Sequence, residues 1–144
     1  MNIFDALRAD HEKQRYLLDC LIDTQGDSIK RQTLFRKIKS ELSLHAIAEE
    51  RFFYIPLIQH DMTQEKSRHA IAEHHELDEI IEKLDQTDYS SSAWLIEAKN
   101  LHHRLNHHLD DEEHQIFQLA GKVLTEKQKV TLGKDYMEKM LMTD

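Results

Sequence analysis

The strongest constraint on the fold is an internal repeat, because the second half of the chain matches the first when the sequence is shifted by 63 residues. The shift superposes polar residues on polar residues of the same kind: His11 on His74, His45 on His108, Glu49 on Glu112 and Glu50 on Glu113. It also keeps the spacing of the apolar residues, as Leu18 on Ile81 illustrates. The sequence therefore predicts two copies of one supersecondary unit.

Both copies carry apolar residues at helical spacing on two successive segments. In the first copy, one helix is predicted from Ile3 to about Asp23, where turn residues follow. Ser28 is a suitable N-cap for a second helix, and Pro56 kinks or ends that helix. The first copy is therefore predicted to be a helical hairpin.

The second copy repeats this hairpin. Thr63 is a candidate start for the third helix, and a loop is predicted over residues 85–92. The fourth helix carries Ile116 and Leu119 on its apolar face and ends at Gly121, a natural C-cap. The chain holds only three Gly and one Pro, too few turn residues for a β-rich fold of 144 residues. Four long helices with short connections predict an all-α, up-down-up-down four-helix bundle.

A shorter fifth helix is predicted after the bundle. Thr125 and Gln128 form a capping-box pattern at its start, although Gly133 in its middle weakens the prediction. The chain of 144 residues has the size of one domain. We therefore predict a single domain over residues 1–144, with the bundle at about 3–121 and a C-terminal helical tail at about 125–141.

Charge and cysteine content argue against several classes of partner. Nineteen Lys and Arg against 27 Asp and Glu give a net charge of -8, which disfavours a nucleic-acid partner. The single Cys20 excludes a disulfide framework and a multi-cysteine metal site. Without a run of about 18 apolar residues or a signal-peptide pattern, the sequence predicts a cytoplasmic protein with no membrane partner. The basic residues at positions 30, 31, 36, 37 and 39 are interpreted as the solvated face of the second helix.

Histidine is the outlier of the composition, with 11 residues. Residues four apart on a helix point the same way, so His45 and Glu49 face one direction, as do His108 and Glu112. On apolar helix faces such groups are costly unless a metal satisfies them. The predicted metal ligands are His11, His45, Glu49, His74, His108 and Glu112. Their number suggests two metals, each with two histidines and bridged by the two glutamates, and donors without thiolate suit iron, with manganese or zinc as alternatives.

Other polar residues near these positions are assigned no metal. Four histidines fall outside the repeat register and are interpreted as surface residues: His75, His103, His107 and His114. Glu50 and Glu113 adjoin the predicted ligands, and solvent exposure is the favoured interpretation for both. The alternative is that each accepts a hydrogen bond from an imidazole N–H.

The segments that carry these residues resemble the hemerythrin-like, or HHE cation-binding, domain family. The matching segments are Asp10-His11, residues 45–56 (HAIAEERFFYIP), Glu73-His74 and residues 108–117 (HLDDEEHQIF). The resemblance covers roughly residues 3–120 and implies a four-helix bundle around an oxo- or hydroxo-bridged non-heme di-iron centre. By the same resemblance the four histidines named above, His11, His45, His74 and His108, would be iron ligands, and Glu49 and Glu112 would bridge the two irons.

Two positions depart from the oxygen-carrying hemerythrins, which have a fifth histidine one turn after the first histidine of the third helix. Here that position is Asp78, and the fourth helix reads His108-x-x-x-Glu112 in place of their His-x-x-x-x-Asp. The arrangement is more similar to four-His, two-Glu members, which include iron-sensing domains and di-iron proteins that repair damaged iron–sulfur centres. Asp78 is interpreted as a weak ligand, as an acceptor beside the ligands or as a surface acid, and the last two interpretations are favoured.

Three classes of function remain open from the sequence. As a binding module, the di-iron centre would bind or sense a small diatomic ligand, O2 or NO. As a redox enzyme, it would reduce peroxide or NO, or repair damaged iron–sulfur centres. A helical adaptor without a metal is the third class. If the protein acts as a sensor, we expect an unidentified protein partner to read its signal.

Overall fold

The computed structural model describes residues 1–142, so the last two residues of the predicted domain lie outside the described residues. These residues form seven α-helical segments and two π-helical turns, with no strand among them. The helices are α1 (Ile3–Ile22), α2 (Ile29–Glu49), α3 (Ile55–Ile58), α4 (Asp61–Asp85), α5 (Ser92–Asp111), α6 (Phe117–Val123) and α7 (Glu126–Leu141). The first π turn is Glu50–Tyr54 and the second is Glu112–Ile116.

Each π turn joins the helices on either side of it without a break in helical backbone. The chain therefore has four long helical rods, followed by α7. This confirms the predicted all-α four-helix bundle with a short C-terminal helix. None of the described helices is long and apolar enough to cross a membrane.

Two helix starts follow the predicted capping chemistry. The Ser28 side chain accepts a hydrogen bond from the backbone N–H of Arg31 at 3.1 Å. Thr125 and Gln128 form the predicted capping box, in which each side chain accepts from the other residue's backbone N–H. Both caps satisfy N–H groups that have no partner inside the helix.

Two other predicted helix ends are wrong. The helix α4 begins at Asp61, before Thr63, whose hydroxyl instead donates to the carbonyl of Leu57 at 2.6 Å. Gly121 does not end its helix, because α6 continues to Val123. Gly121 keeps a negative φ, so it does not provide the left-handed C-cap on which the prediction depended.

The π turns change which residues face the core. Each turn inserts one extra residue into the helical repeat, so the buried face moves on by one position. Tyr54 and Phe117, five residues beyond Glu49 and Glu112, are both buried. Leu119, which the uninterrupted period predicts on the apolar face, is only partly buried. Ile116, which the same period predicts on that face, is buried, so the helical period fails only for the residues that follow it.

The helix α7 packs against the start of α1 through Gly133. A Cβ atom at Gly133 would lie 2.6 Å from the carbonyl carbon of Asn2 and 2.7 Å from the nitrogen of Ile3. Only glycine allows so close an approach of the two backbones. The residue that weakened the prediction of this helix is thus the one that lets it dock and bury Tyr136.

Apolar side chains fill both ends of the bundle. One cluster, which includes Leu18 and Trp94, lies towards the loop at residues 86–91. A second, which includes Phe53 and Tyr136, fills the end covered by α7. The predicted metal ligands occupy the layer between the two clusters, where bulk water does not reach them.

Arg31 corrects the interpretation of the basic residues of the second helix as a solvated face. Its side chain is buried and donates to the Thr24 hydroxyl at 2.9 Å and to the Tyr89 carbonyl at 2.7 Å. The guanidinium also lies 4.7 Å from the centre of a Trp94 ring. Arg31 therefore connects the loop between α1 and α2 to the loop between α4 and α5.

Candidate metal centre

All six predicted ligands meet in the middle of the bundle, and each is at most 5 % exposed. They come from all four rods: His11 from α1, His45 and Glu49 from α2, His74 from α4, His108 from α5 and Glu112 from the second π turn. Because each rod crosses this layer once, six polar groups lie at one level of the core.

The six side chains form two overlapping groups that could hold metal ions. We call His11, His45, Glu49 and Glu112 the first site, and His74, His108, Glu49 and Glu112 the second site. Within each site the ligand atoms lie within 4.8 Å of one another. Glu49 and Glu112 belong to both sites, so each carboxylate is placed to bridge two ions.

The atoms that face the two sites have no hydrogen-bond partner. His11 Nε2 lies 2.9 Å from Glu112, and His74 Nε2 lies 3.0 Å from Glu49, but neither contact has hydrogen-bond geometry. The unpaired atoms are Nε2 of all four histidines, both oxygens of Glu49 and one oxygen of Glu112. A buried polar atom without a partner costs about 1–3 kcal/mol. The donor set therefore fits bound cations, which would satisfy all of these atoms together.

In two of the histidines, the Nδ1 atom contacts a carboxylate. Glu113 lies 2.7 Å from His11 Nδ1, and Glu50 lies 2.8 Å from His74 Nδ1. A proton on Nδ1 leaves the Nε2 lone pair free for a metal. The favoured interpretation of Glu50 and Glu113 as solvent-exposed residues is therefore wrong, and the alternative is correct.

The other two histidines have outer partners that sequence reasoning did not identify. His108 Nδ1 lies 2.9 Å from Glu73. His45 Nδ1 lies 2.6 Å from the hydroxyl of Tyr136, which donates in turn to Asp10. A signal for the two acids was present, because Asp10 and Glu73 each precede the first histidine of their copy. Nothing in the repeat pointed to Tyr136.

Tyr54 is a further polar neighbour that the sequence did not reveal. Its buried hydroxyl donates a hydrogen bond to the carboxylate of Glu112. Its counterpart in the repeat is Phe117, which has no hydroxyl and stacks on the His11 ring at a centroid distance of 6.0 Å. The two shared carboxylates therefore have different surroundings.

Burial opposes the charged form of every group in this layer. For His74 the carboxylates of Glu49 and Glu50 outweigh burial and raise the pKa to about 10. Burial alone would raise the pKa of Glu49, but His45 and other imidazoles hold it well below its usual value. Burial, followed by the charge of Glu49, raises the pKa of Glu112. Carboxylates likewise raise the pKa of His11 and His45, so protons on these imidazoles stabilise the metal-free centre, and a cation must displace them.

The residues interpreted as surface groups lie outside the centre. His75, His103, His107 and His114 are all exposed. Asp78 is exposed as well and belongs to neither site, although it borders a small cavity beside the second site.

Comparison with known proteins agrees with this geometry. The hemerythrin HHE cation-binding domain family matches residues 2–120. The chain therefore belongs to that family. A similar solved structure is that of a hemerythrin HHE cation-binding domain-containing protein from Mycobacterium kansasii, with a TM-score of 0.89. The similarity covers 99% of this chain and 87% of that one at 22% identity, and it supports the fold. No curated protein matches the chain.

Proposed function

We propose that the chain is a non-heme di-iron protein in which the first and second sites each hold one iron and Glu49 and Glu112 bridge them. The observation that carries this proposal is the pairing pattern of the imidazoles. Each histidine has its outward Nδ1 near a polar partner and its inward Nε2 unpaired. Nitrogen and carboxylate donors without thiolate favour iron, with manganese or zinc as less favoured alternatives.

We further propose that the centre binds or senses a small diatomic ligand, O2 or NO. Iron held here would supply electrons and open coordination positions for such a ligand. A cavity of about 20 Å³ lies against His45, His74 and His108, and it admits little more than one water-sized molecule. The apolar clusters on both sides keep larger molecules away from the centre.

A redox enzyme is the second candidate, one that reduces peroxide or NO or repairs damaged iron–sulfur centres. Tyr54 favours it, because a buried hydroxyl beside the shared carboxylate of Glu112 holds a proton at the centre. Burial, together with the charge of Glu112, raises the pKa of Tyr54 well above its usual value. Reduction of peroxide or NO consumes protons, and Tyr54 is placed to hold one.

The deciding test is the visible absorption spectrum of anaerobically iron-loaded protein before air, after air and after degassing, with the iron content per chain. Two irons and a charge-transfer band that appears in air and reverses support the binding module. An irreversible band, with peroxide or NO turnover faster than that of free iron, supports the enzyme. Unchanged metal content in His45→Ala and Glu112→Ala would overturn the di-iron proposal and support a metal-free adaptor.

We also propose that the protein acts in the cytoplasm without nucleic-acid or membrane partners. The net charge of -8 supports the absence of a nucleic-acid partner, because the protein would repel a phosphate backbone. If the bound ligand is a signal, an unidentified protein partner reads it.

A further inference from the structure

Gln14 is a buried polar residue that neither metal site uses. It lies on α1, one turn after His11, and its side chain is 3 % exposed. Its carbonyl oxygen Oε1 has no hydrogen-bond partner. A buried amide oxygen without a partner is costly, so such an atom points to a missing ligand. Outside the two metal sites, only Gln14 and Trp94 have unpaired buried side-chain atoms among the described residues.

The cavity of about 20 Å³ beside the second site gives Gln14 a ligand to contact. Gln14 lines this cavity together with the rings of three predicted ligands, and leucine side chains form most of the rest of the wall. One water needs about 10–15 Å³ of such space, so the cavity holds a single very small molecule. Apart from the histidines, the polar residues of this wall are Gln14 and Asp78, and of these two only Gln14 is buried, since Asp78 is exposed.

The repeat makes the placement of Gln14 specific to one side of the cavity. The residue related to Gln14 by the repeat is Leu77, which lines the same cavity and offers no hydrogen bond. A ligand in the cavity therefore meets the buried acceptor of Gln14 on α1, whereas the corresponding residue on α4 is the hydrocarbon side chain of Leu77.

We propose that Gln14 is the specificity-determining residue for this cavity and that its free acceptor selects a small ligand that carries a proton, of the hydrogen peroxide class, over aprotic ligands. The proposal rests on the di-iron centre proposed above, and it favours the redox enzyme, the second candidate, over a module that binds O2 or NO. An O–H group of the ligand donates to Gln14 Oε1 while its other end faces the histidine rings. Aprotic ligands such as NO or azide have no hydrogen to donate to this oxygen.

The test compares wild type with Gln14→Leu, which removes the acceptor at similar volume, and with Leu77→Met, which changes the same cavity without changing its polarity. The apparent dissociation constants for hydrogen peroxide and azide are measured on oxidised iron-loaded protein by stopped-flow absorbance. We expect Gln14→Leu to weaken peroxide binding by about tenfold and to leave azide within about twofold, because a single hydrogen bond has about this value. Leu77→Met should change neither ligand.

A second measurement needs no redox chemistry. In a crystal structure of the zinc-loaded wild type we expect an ordered water in the cavity within hydrogen-bond distance of Gln14, and in Gln14→Leu we expect it to be absent. An empty cavity in the wild type overturns the proposal, as does an equal loss of peroxide and azide affinity. Iron content separates the two proposals, because two irons per chain with unchanged ligand affinities would overturn the role of Gln14 alone. A wild type that binds no iron would overturn both.

Discussion

The two metal sites are equivalent in the sequence repeat but differ in what supports them. In the second site, the Nδ1 atom of His108 lies 2.9 Å from the carboxylate of Glu73. At the corresponding place in the first site, His45 contacts the hydroxyl of Tyr136, and that hydroxyl donates to Asp10. Aspartate is one methylene shorter than glutamate, and a tyrosine from α7 fills the gap. The repeat therefore completes one site by itself, whereas the other needs a helix that lies outside the repeat.

The shared carboxylates show the same kind of difference. Glu112 accepts a hydrogen bond from Tyr54, whereas both oxygens of Glu49 are unpaired. Phe117, in the position related to Tyr54, has no hydroxyl to donate. Glu49 therefore depends on bound cations more than Glu112 does. The positions of the six ligands therefore follow the sequence repeat. The two sites differ because the hydroxyls of Tyr54 and Tyr136 have no equivalent in the repeat.

Removing a shared ligand should have the largest effect, because it breaks both sites at once. We expect Glu49→Ala to bind almost no metal, since it removes a ligand from each site. His108→Ala should lose the metal of the second site and keep that of the first. Metal analysis per chain distinguishes these results, and His103→Ala, a change at an exposed histidine, is the control that should bind as wild type does. Full occupancy in Glu49→Ala would contradict the shared-carboxylate arrangement.

Chelation should remove the stabilisation that both sites provide. Seven side-chain atoms of the six ligands then have no hydrogen-bond partner, and each such atom costs about 1–3 kcal/mol, a cost that protons on the imidazoles offset only in part. We expect the unfolding temperature to fall by roughly 10 °C or more, as followed by circular dichroism. The same chelator should leave Glu49→Ala unchanged. Equal melting of loaded and chelated wild type would mean that the core does not depend on metal.

The difference between loaded and chelated protein should widen as pH rises. The pKa of His74 in the metal-free fold is raised to about 10 from 6.5. Its stabilising effect is therefore complete below about 6.5 and is lost as the pH rises through 10. Metal binding needs neutral imidazoles, so the loaded protein gains metal affinity over the same range. Unfolding temperatures of both forms between these pH values test this, and a narrowing difference would contradict it.

Tyr136→Phe should weaken the first site and spare the second. It removes the hydroxyl that lies 2.6 Å from His45 Nδ1 while keeping the aromatic ring. Loss of such an outer hydrogen bond costs about 10–100-fold in metal affinity. Titration with a competing chelator should therefore show two phases in Tyr136→Phe. Tyr16→Phe, at an exposed tyrosine, is the matched control, and an equal loss at both sites would show that Tyr136 acts through overall stability.

The sequence allowed the bundle and all six inward-facing side chains to be predicted for one physical reason. Helical spacing fixes which residues share a face, and the repeat separated four histidines from the other seven: His11, His45, His74 and His108. The same spacing placed His45 above Glu49 and His108 above Glu112 correctly, since each pair lies before or at the start of its π turn.

What the sequence did not reveal depends on backbone phase and on tertiary docking. A single inserted residue in each π turn brought Tyr54 and Phe117 into the core, and no regular period predicts such an insertion. Tyr136 reaches His45 only because α7 docks across the bundle, and that contact spans 91 residues of sequence. The repeat did match Asp10 with Glu73. Only the distances show that Glu73 contacts His108 and that Asp10 accepts from Tyr136.

The smallest expected effect tests how α7 is coupled to the first site. Gly133→Ala places a Cβ atom 2.6 Å from the Asn2 backbone, so α7 must shift or detach, at a cost of about 1–3 kcal/mol. Because Tyr136 lies one turn further on the same helix, metal affinity should fall a few-fold in the first site alone. Gly121→Ala is the matched control: nothing lies within 4 Å of its added Cβ, and the helix should gain up to about 1 kcal/mol. If Gly133→Ala destabilised the fold but left the first site unchanged, Tyr136 would be held in place by its own hydrogen bonds rather than by the docking of α7.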